Sequence, residues 1–337
     1  MRTLRSRPGN GAPTLEIEDL TVEFQTRAHT ARVVDHVSFA IWPGEVVGLI
    51  GESGSGKTLT ALSVLGLLPR NAQIVSGAIR LSGISLVDLP EARRRQIRGA
   101  RIALIPQDAL RALNPVLRID VQVGEPLNIH RQTPWAAAKR KAIELLTAVH
   151  LANPTMRARE YPHQFSGGMQ QRAMIAMGLA LEPELLIADE PTTALDVTVQ
   201  AQVLKLLREI RDTHGASILF ITHDLGVIAE LCDWVCVMYA GAIIEQGSVE
   251  QILRHPGHPY TQALLRATPT ARSVHEELLS IPGQIPLPSE LPRGCRFADR
   301  CQLVFERCRN EPPDFELETG HTARCWLCET AHARRTA

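Results

Sequence analysis

The sequence predicts an α/β nucleotide-binding fold with an antiparallel β subdomain near the N-terminus, a helical insertion and a small cysteine-rich C-terminal extension. Three observations predict it. A glycine-rich loop joins an apolar run to a helical pattern, two further apolar runs end in polar clusters, and five of the seven cysteines crowd between 295 and 328.

The antiparallel subdomain is read from residues 15–50, where short β-type runs (Leu15-Glu16-Ile17, Thr21-Val22-Glu23-Phe24, Val37-Ser38-Phe39) alternate with turn signals such as Trp42-Pro43-Gly44. They lead into Val46-Val47-Gly48-Leu49-Ile50, which is apolar on both faces, as a buried parallel strand requires. A second such run, Leu185-Leu186-Ile187-Ala188, ends in Asp189-Glu190, and a third, Ser217-Ile218-Leu219-Phe220-Ile221, ends in Thr222-His223-Asp224. In open parallel sheets the carboxyl edge of the strands is where ligands bind. The mostly helical stretch at about 110–180 is taken as a subdomain inserted in the nucleotide fold. From 256 the composition shifts to Pro and Cys, with Pro282, Pro286, Pro288 and Pro292 marking a linker to a small module. The expected organisation is a nucleotide-binding domain over 1–255 and an extension over 256–337.

With 337 residues the chain has room for two domains, since domains usually run to roughly 100–200 residues. Lys plus Arg and Asp plus Glu each number 36. Without a basic excess, nucleic acid is not expected as the main partner. The richest basic stretch, Arg93-Arg94-Arg95 with Arg98 and Arg101, reads as a solvated helix face beginning at Glu91. No apolar run approaches the roughly 18 residues of a spanning helix, and Met1-Arg2-Thr3-Leu4-Arg5 leads into Gly-Pro-rich sequence without a signal core. The expectation is a soluble, cytoplasmic chain, with any membrane contact coming through partners.

Gly51-Glu52-Ser53-Gly54-Ser55-Gly56-Lys57-Thr58 fits G-x-x-x-x-G-K-[ST] between a strand and a helix. Glycines let successive N–H groups point at phosphate oxygens, and the helix N-terminus adds partial positive charge. Lys57 should reach the β- and γ-phosphates of ATP, and Thr58 should ligate Mg²⁺. Asp189 would hold Mg²⁺, directly or through water, and Glu190 would polarise the attacking water. Ser166-Gly167-Gly168-Met169 opens a helical run that Glu182-Pro183 stops, with Ser166 as N-cap. The first helix already serves one nucleotide, so this second anion-ready helix start is read as closing over the nucleotide of a partner subunit. A plain capped helix accounts for the same pattern on the sequence alone.

Together these motifs resemble the ABC-transporter ATPase family, in order across residues 15–250: the phosphate loop, Gln107 in Ile105-Pro106-Gln107-Asp108, Phe165-Ser166-Gly167-Gly168-Met169, Asp189-Glu190, Ala194-Leu195-Asp196 and His223. The resemblance implies a RecA-like core working as a dimer that sandwiches two ATP molecules. It further implies that Phe24 stacks on adenine, Gln107 senses Mg²⁺ and the membrane subunits, Asp196 lies at the dimer interface and His223 contacts the γ-phosphate. Within the family, Leu113-Asn114-Pro115, Tyr161-Pro162-His163-Gln164, Thr192-Thr193-Ala194-Leu195-Asp196-Val197-Thr198-Val199-Gln200 and His258-Pro259-Tyr260-Thr261 are similar to the peptide and nickel importer ATPases. That likeness implies a second ATPase subunit, a paralogue, with two transmembrane permease subunits and an extracellular or periplasmic peptide-binding protein. One departure is Ile105-Pro106-Gln107-Asp108-Ala109, where relatives have Phe before the Gln and Pro after the Asp; the stiffness of this loop is what it puts in question. A nickel importer stays open as an alternative cargo assignment. A soluble ABC protein without a membrane partner fits less well, because such proteins carry tandem ATPase units or long coiled coils, and sustained heptads are missing here.

Cys295, Cys301, Cys308 and Cys325 are separated by five, six and sixteen residues. Four thiolates suit tetrahedral Zn²⁺ or a [4Fe–4S] cluster. Cys325-x-x-Cys328 leaves the fourth ligand open between its two members. The importer resemblance implies an iron–sulfur cluster, expected to staple a Pro-rich lobe that lacks a sufficient apolar core of its own.

Overall fold

The computed structural model describes residues 11–25, 30–193, 195–267 and 281–336; Met1–Arg5 and Ala194, used in the sequence reading, lie outside them. The chain divides into two compact units, one built from residues 1–41, 46–87 and 222–337, the other from 42–45 and 88–221.

In the first unit, strands Leu15–Gln25, Thr30–Ile41, Ala72–Leu81 and Ile84–Ser85 form an antiparallel sheet. Leu15–Gln25 lies in the middle of three, pairing Leu15 with both Ile41 and Leu81. Leu15, Ile17, Val22, Val37 and Ile79 are wholly buried, while Arg80 bridges Glu16 and Glu18 at 2.9 and 2.7 Å. The register slips near Leu20, where Asp19 takes φ 51°. Gly77 faces that bulge at φ 95°, and a Cβ there would lie 2.5 Å from the Asp19 carbonyl oxygen.

Strand Val46–Ile50, buried along its length, runs parallel to Trp234–Tyr239, which pairs antiparallel with Ala242–Ser248. The C-terminal extension adds to this sheet. His321–Ala323 pairs with Ala242–Ser248, and Phe315–Glu318 pairs with His321–Ala323. The proline-containing stretch expected as a linker is tied down at its start, because Arg300 donates to the carbonyls of Ile281 and Pro282 at 3.3 and 2.9 Å. The Glu245 carboxylate, 1% exposed, accepts from the backbone N–H groups of Gly257 (2.6 Å) and His258 (2.9 Å) and meets His321 Nε2 at 2.8 Å. A buried carboxylate is tolerated only when so paired.

In the second unit, Leu185–Asp189 lies between Ile102–Ile105 and Ser217–Thr222, all parallel, with Ile105 beside Ala188 and Asp189 beside Ile221. Their near-complete burial explains the uninterrupted apolar runs. Helices Ile119–Arg131, Trp135–Ala148 and Gly167–Leu179 pack together around Leu127, Ala138, Ala180 and Leu181. The Leu113-Asn114-Pro115 turn is stitched to this group by Gln122, whose amide accepts from Asn114 N–H (2.7 Å) and donates to the carbonyls of Asn114 (3.0 Å) and Leu117 (2.9 Å). Among the described residues no helix is long and apolar enough to cross a membrane.

Because any side chain at residue 77 meets the bulge backbone, Gly77→Ala is expected to cost about 1–3 kcal/mol of stability. Urea unfolding read by fluorescence checks it; a midpoint equal to wild type would show the bulge relaxing freely.

Candidate functional site

The phosphate loop of the first unit follows strand Val46–Ile50 and opens helix Lys57–Leu65. Gly51 sits at φ 154°, and a Cβ there would lie 2.1 Å from the Met238 carbonyl oxygen. Gly56 caps the helix at φ 104°, where a Cβ would lie 2.8 Å from the Val33 carbonyl oxygen. Both positions therefore exclude side chains. Ser53 and Gly54 are exposed, Ser55 is buried and Thr58 is exposed at the helix start. Lys57, only 5% exposed, donates to the carbonyls of Gly51 (2.7 Å) and Glu52 (2.9 Å) and approaches Ser55 Oγ at 3.5 Å. These acceptors hold the ammonium over the loop it is expected to serve.

Phe24 is half-buried in strand Leu15–Gln25, between Ala31 and Ala72 on the flanking strands. His223 is exposed on a tight turn whose other members are fixed: Asp224 N–H donates to Thr222 Oγ1 (3.0 Å), and the Asp224 carboxylate caps helix Leu225–Leu231 through Gly226 N–H (2.8 Å).

In the second unit the structure brings Gln107 and Glu190 together. Gln107 Nε2 donates to Glu190 Oε2 at 3.1 Å, and Thr193 Oγ1 donates to the same oxygen at 2.9 Å. Asp189 precedes it at the end of the central strand, 9% exposed. Glu190 itself adopts φ 47°. A non-glycine residue in that region is held there at about 1–2 kcal/mol, and such strain collects at functional sites. The Glu190 N–H donates to the Ile221 carbonyl at 2.9 Å, anchoring the turn to the neighbouring strand. Thr193 was not singled out in the sequence; only its place in the Thr192–Gln200 stretch marked it.

Ser166 caps Gly167–Leu179, accepting from Met169 N–H at 3.4 Å, and Asp196 caps Val197–His214, accepting from Val199 N–H at 2.9 Å. The two helix starts lie against each other: a Cβ on Gly168 would fall 2.5 Å from Val199 Cγ1, and one on Gly167 would meet Leu195 at 3.6 Å. Gly168 is thus required by packing as well as by any exposure of its N–H, a reason that sequence spacing does not reveal.

Cys295, Cys301, Cys308 and Cys325 line one pocket, with Phe297, Leu303, Trp326 and Leu327 among its walls. Cys295 N–H donates to the Cys308 carbonyl at 2.9 Å, closing the loop between them. Burial, reinforced by the neighbouring cysteines, pushes the Cys295 thiol up to about 11 and the Cys301 thiol upward too. Pairing with Cys328 holds the Cys325 thiol below the usual thiol range, and the same pairing together with burial raises Cys328. Cys328 also points its sulfur at the Gly257 carbonyl, 3.4 Å away. Among the described residues no group of three or more His, Cys, Asp or Glu is set to hold a single metal ion.

Comparison with known proteins follows the same residues. A family model described as ABC transporter matches residues 34–193, and one described as oligopeptide/dipeptide transporter, C-terminal region, matches 244–308. A probable peptide ABC transporter ATP-binding protein of Sinorhizobium fredii is 47% identical over 315 residues, covering 93% of this chain and 94% of that one. A putative peptide import ATP-binding protein of Brucella abortus is 46% identical over 314 residues, covering 93% and 95%. Among solved structures, a dimeric ATP-binding cassette in a post-hydrolysis state with ADP and Pi aligns with TM-score 0.63 and 25% identity over 70% of this chain and 98% of that one. CbiO1 of Clostridium perfringens, part of an ABC transporter complex, aligns with TM-score 0.61 and 25% identity over 72% and 91%.

Since Gly168 is pressed against Val199, Gly168→Ala is expected to destabilise by about 1–3 kcal/mol through overpacking, and adding Val199→Ala should recover most of the loss. Thermal unfolding of the single and double variants tests the contact; equal destabilisation in both would refute it.

Proposed function

From the premise that this chain belongs to the ABC-transporter ATP-binding subunits of the oligopeptide/dipeptide importer family, we propose that it hydrolyses ATP to energise uptake of di- or oligopeptides, and that its residues divide the work as follows. Lys57 and the loop N–H groups bind the β- and γ-phosphates, and Phe24 packs on the adenine. Glu190 takes a proton from the attacking water while Gln107 and Thr193 orient its carboxylate, and His223 steadies the γ-phosphate. The Thr58 hydroxyl, the Asp189 carboxylate and the Gln107 amide oxygen are hard oxygen donors of the kind Mg²⁺ takes, and they are the residues that would hold it. When bound, Mg²⁺ supplies neutralising charge to the phosphates. The observation that carries the hydrolytic reading is the Glu190 carboxylate, strained into a left-handed turn directly after Asp189 and gripped by two donors.

Peptide cargo is supported by the match of residues 244–308 and by the names of the relatives. We assign as partners two transmembrane permease subunits, an extracellular or periplasmic peptide-binding protein and a second, paralogous ATPase subunit. Ser166–Gly168 of each ATPase closes over the nucleotide of the other, Asp196 lies at that interface, and the assembly sits at the cytoplasmic face of the membrane.

Cys295, Cys301, Cys308 and Cys325 are proposed to hold a [4Fe–4S] cluster. The support is that all four line one largely apolar pocket and that four thiolates are the ligand set of such a cluster. Cys325 is preferred to Cys328 because it lines the pocket with the other three, whereas Cys328 donates its thiol to the Gly257 carbonyl.

Glu190→Gln is expected to lower turnover by about 10²–10⁴-fold, the usual worth of a general base, with ATP binding retained; phosphate release and nucleotide titration measure the two, and normal hydrolysis would refute the assignment. Protein purified without oxygen is expected to be brown and to lose its colour in Cys301→Ser; colourless wild type with stoichiometric zinc would overturn the iron. Cargo is read by stimulation of the assembled transporter's ATPase with peptides of different length against Ni²⁺.

A further inference from the structure

Glu52 occupies a variable place in the phosphate loop, yet every polar group it has is held. Its N–H donates to Tyr260 Oη at 2.9 Å and its carbonyl accepts from Lys57 Nζ at 2.9 Å. Its carboxylate accepts both arms of Arg300, Nη1 to Oε2 at 2.8 Å and Nη2 to Oε1 at 3.0 Å. The loop backbone around it contains glycines that impose no conformation of their own. The Glu52 N–H and carboxylate are therefore held from outside the loop, while its carbonyl is held by the loop's own Lys57.

Arg300 is equally committed. Its side chain is 4% exposed. Besides Glu52, it donates through Nε to Pro282 O at 2.9 Å, through Nη2 to Ile281 O at 3.3 Å and through Nη1 to Tyr239 Oη at 3.4 Å. All five guanidinium N–H groups are thereby placed. The guanidinium also lies 5.7 and 6.0 Å from the Tyr239 and Phe297 ring centres, cation–π distances. Tyr239, Tyr260 and Phe297 form one aromatic cluster with centroids 4.7 to 5.4 Å apart. Exposed ion pairs contribute little, but this two-armed pair is desolvated on the arginine side: Glu52 keeps 31% of its side chain exposed, whereas removing it would strand the buried Arg300 charge.

We infer that Arg300 is a positioning residue for nucleotide binding: with Tyr260 it brackets Glu52, fixes the phosphate loop in its binding form, and so lets the C-terminal extension set the affinity for ATP. This rests on the loop being the ATP site. Arg300 immediately precedes Cys301, so the segment that lines the cysteine pocket is also the segment that delivers the bracket.

The test uses the full-length chain with Glu52→Gln, Arg300→Gln, Arg300→Lys and the double variant E52Q/R300Q, measuring ATP affinity by calorimetry together with KM and kcat. Arg300→Gln is expected to raise Kd and KM about tenfold, with kcat at saturating ATP within about twofold of wild type. Arg300→Lys, which keeps charge but loses the fork, should fall between. The double variant should lie closer to wild type than the sum of the single losses, because neither charge is then stranded. Wild-type Kd and KM in Arg300→Gln, or strictly additive losses in the double variant, would overturn the inference. If Arg300→Gln does not fold, Arg300→Lys and Glu52→Gln carry the same readout, and wild-type affinity in both overturns it. A wild-type chain that binds no ATP would instead remove the ATP-site reading, and the inference with it.

Discussion

The carboxylate of Glu245 joins the strand Ala242–Ser248 to two later segments of the chain, at Gly257–His258 and at His321. It takes hydrogen bonds from two consecutive backbone N–H groups, Gly257 and His258, and from the ring of His321 on the added strand. Burying that charge is unfavourable by several kcal/mol unless each lone pair is used, so the three partners are as constrained as the acid. Fixing Gly257 and His258 starts the helix Pro259–Ala267 and places Tyr260, and fixing His321 sets the register that brings Ala323 beside Glu245. The cysteine pocket, which includes His258 and Pro259 in its wall, is thus built against an edge that this one acid holds.

How much of this was legible depends on how local its cause is. The three buried strands and the loop Gly51–Thr58 were readable because period and spacing are local properties. The Ser166 cap was too, since it accepts from the residue three positions on as the pattern of a helix start implies, whereas the cap that Asp196 supplies was not read from the sequence. The prolines from Pro282 onward mark positions without a backbone donor, but they cannot reveal that Arg300 holds the carbonyls of Ile281 and Pro282. The closing strands Phe315–Glu318 and His321–Ala323 are too short to show periodicity and draw their stability from pairing with a distant strand. Glu52 and Arg300 were invisible for the same reason, since nothing near either residue announces its partner.

The candidate site was legible as a set of residue types but not as a mechanics. Glu190 reads as one of two acids at a strand end, while its left-handed backbone and the Thr193 hydroxyl emerge only when the turn is seen. Gly168 reads as a donor of backbone N–H, whereas its contact with Val199 gives it a second duty. Both cases share a cause: strain and close approach are properties of two segments at once. The cysteines illustrate the converse, for their uneven spacing carried no geometry, yet four of them arrive at one cavity.

The Glu52–Arg300 pair spans 248 positions of the chain. At synthesis rates of roughly 5–20 residues per second, the phosphate loop leaves the ribosome on the order of ten to fifty seconds before its arginine exists. During that interval the nascent chain displays the whole loop sequence without its outer support. The order of translation thus leaves the Glu52 carboxylate without its guanidinium partner until the segment carrying Arg300 has been made.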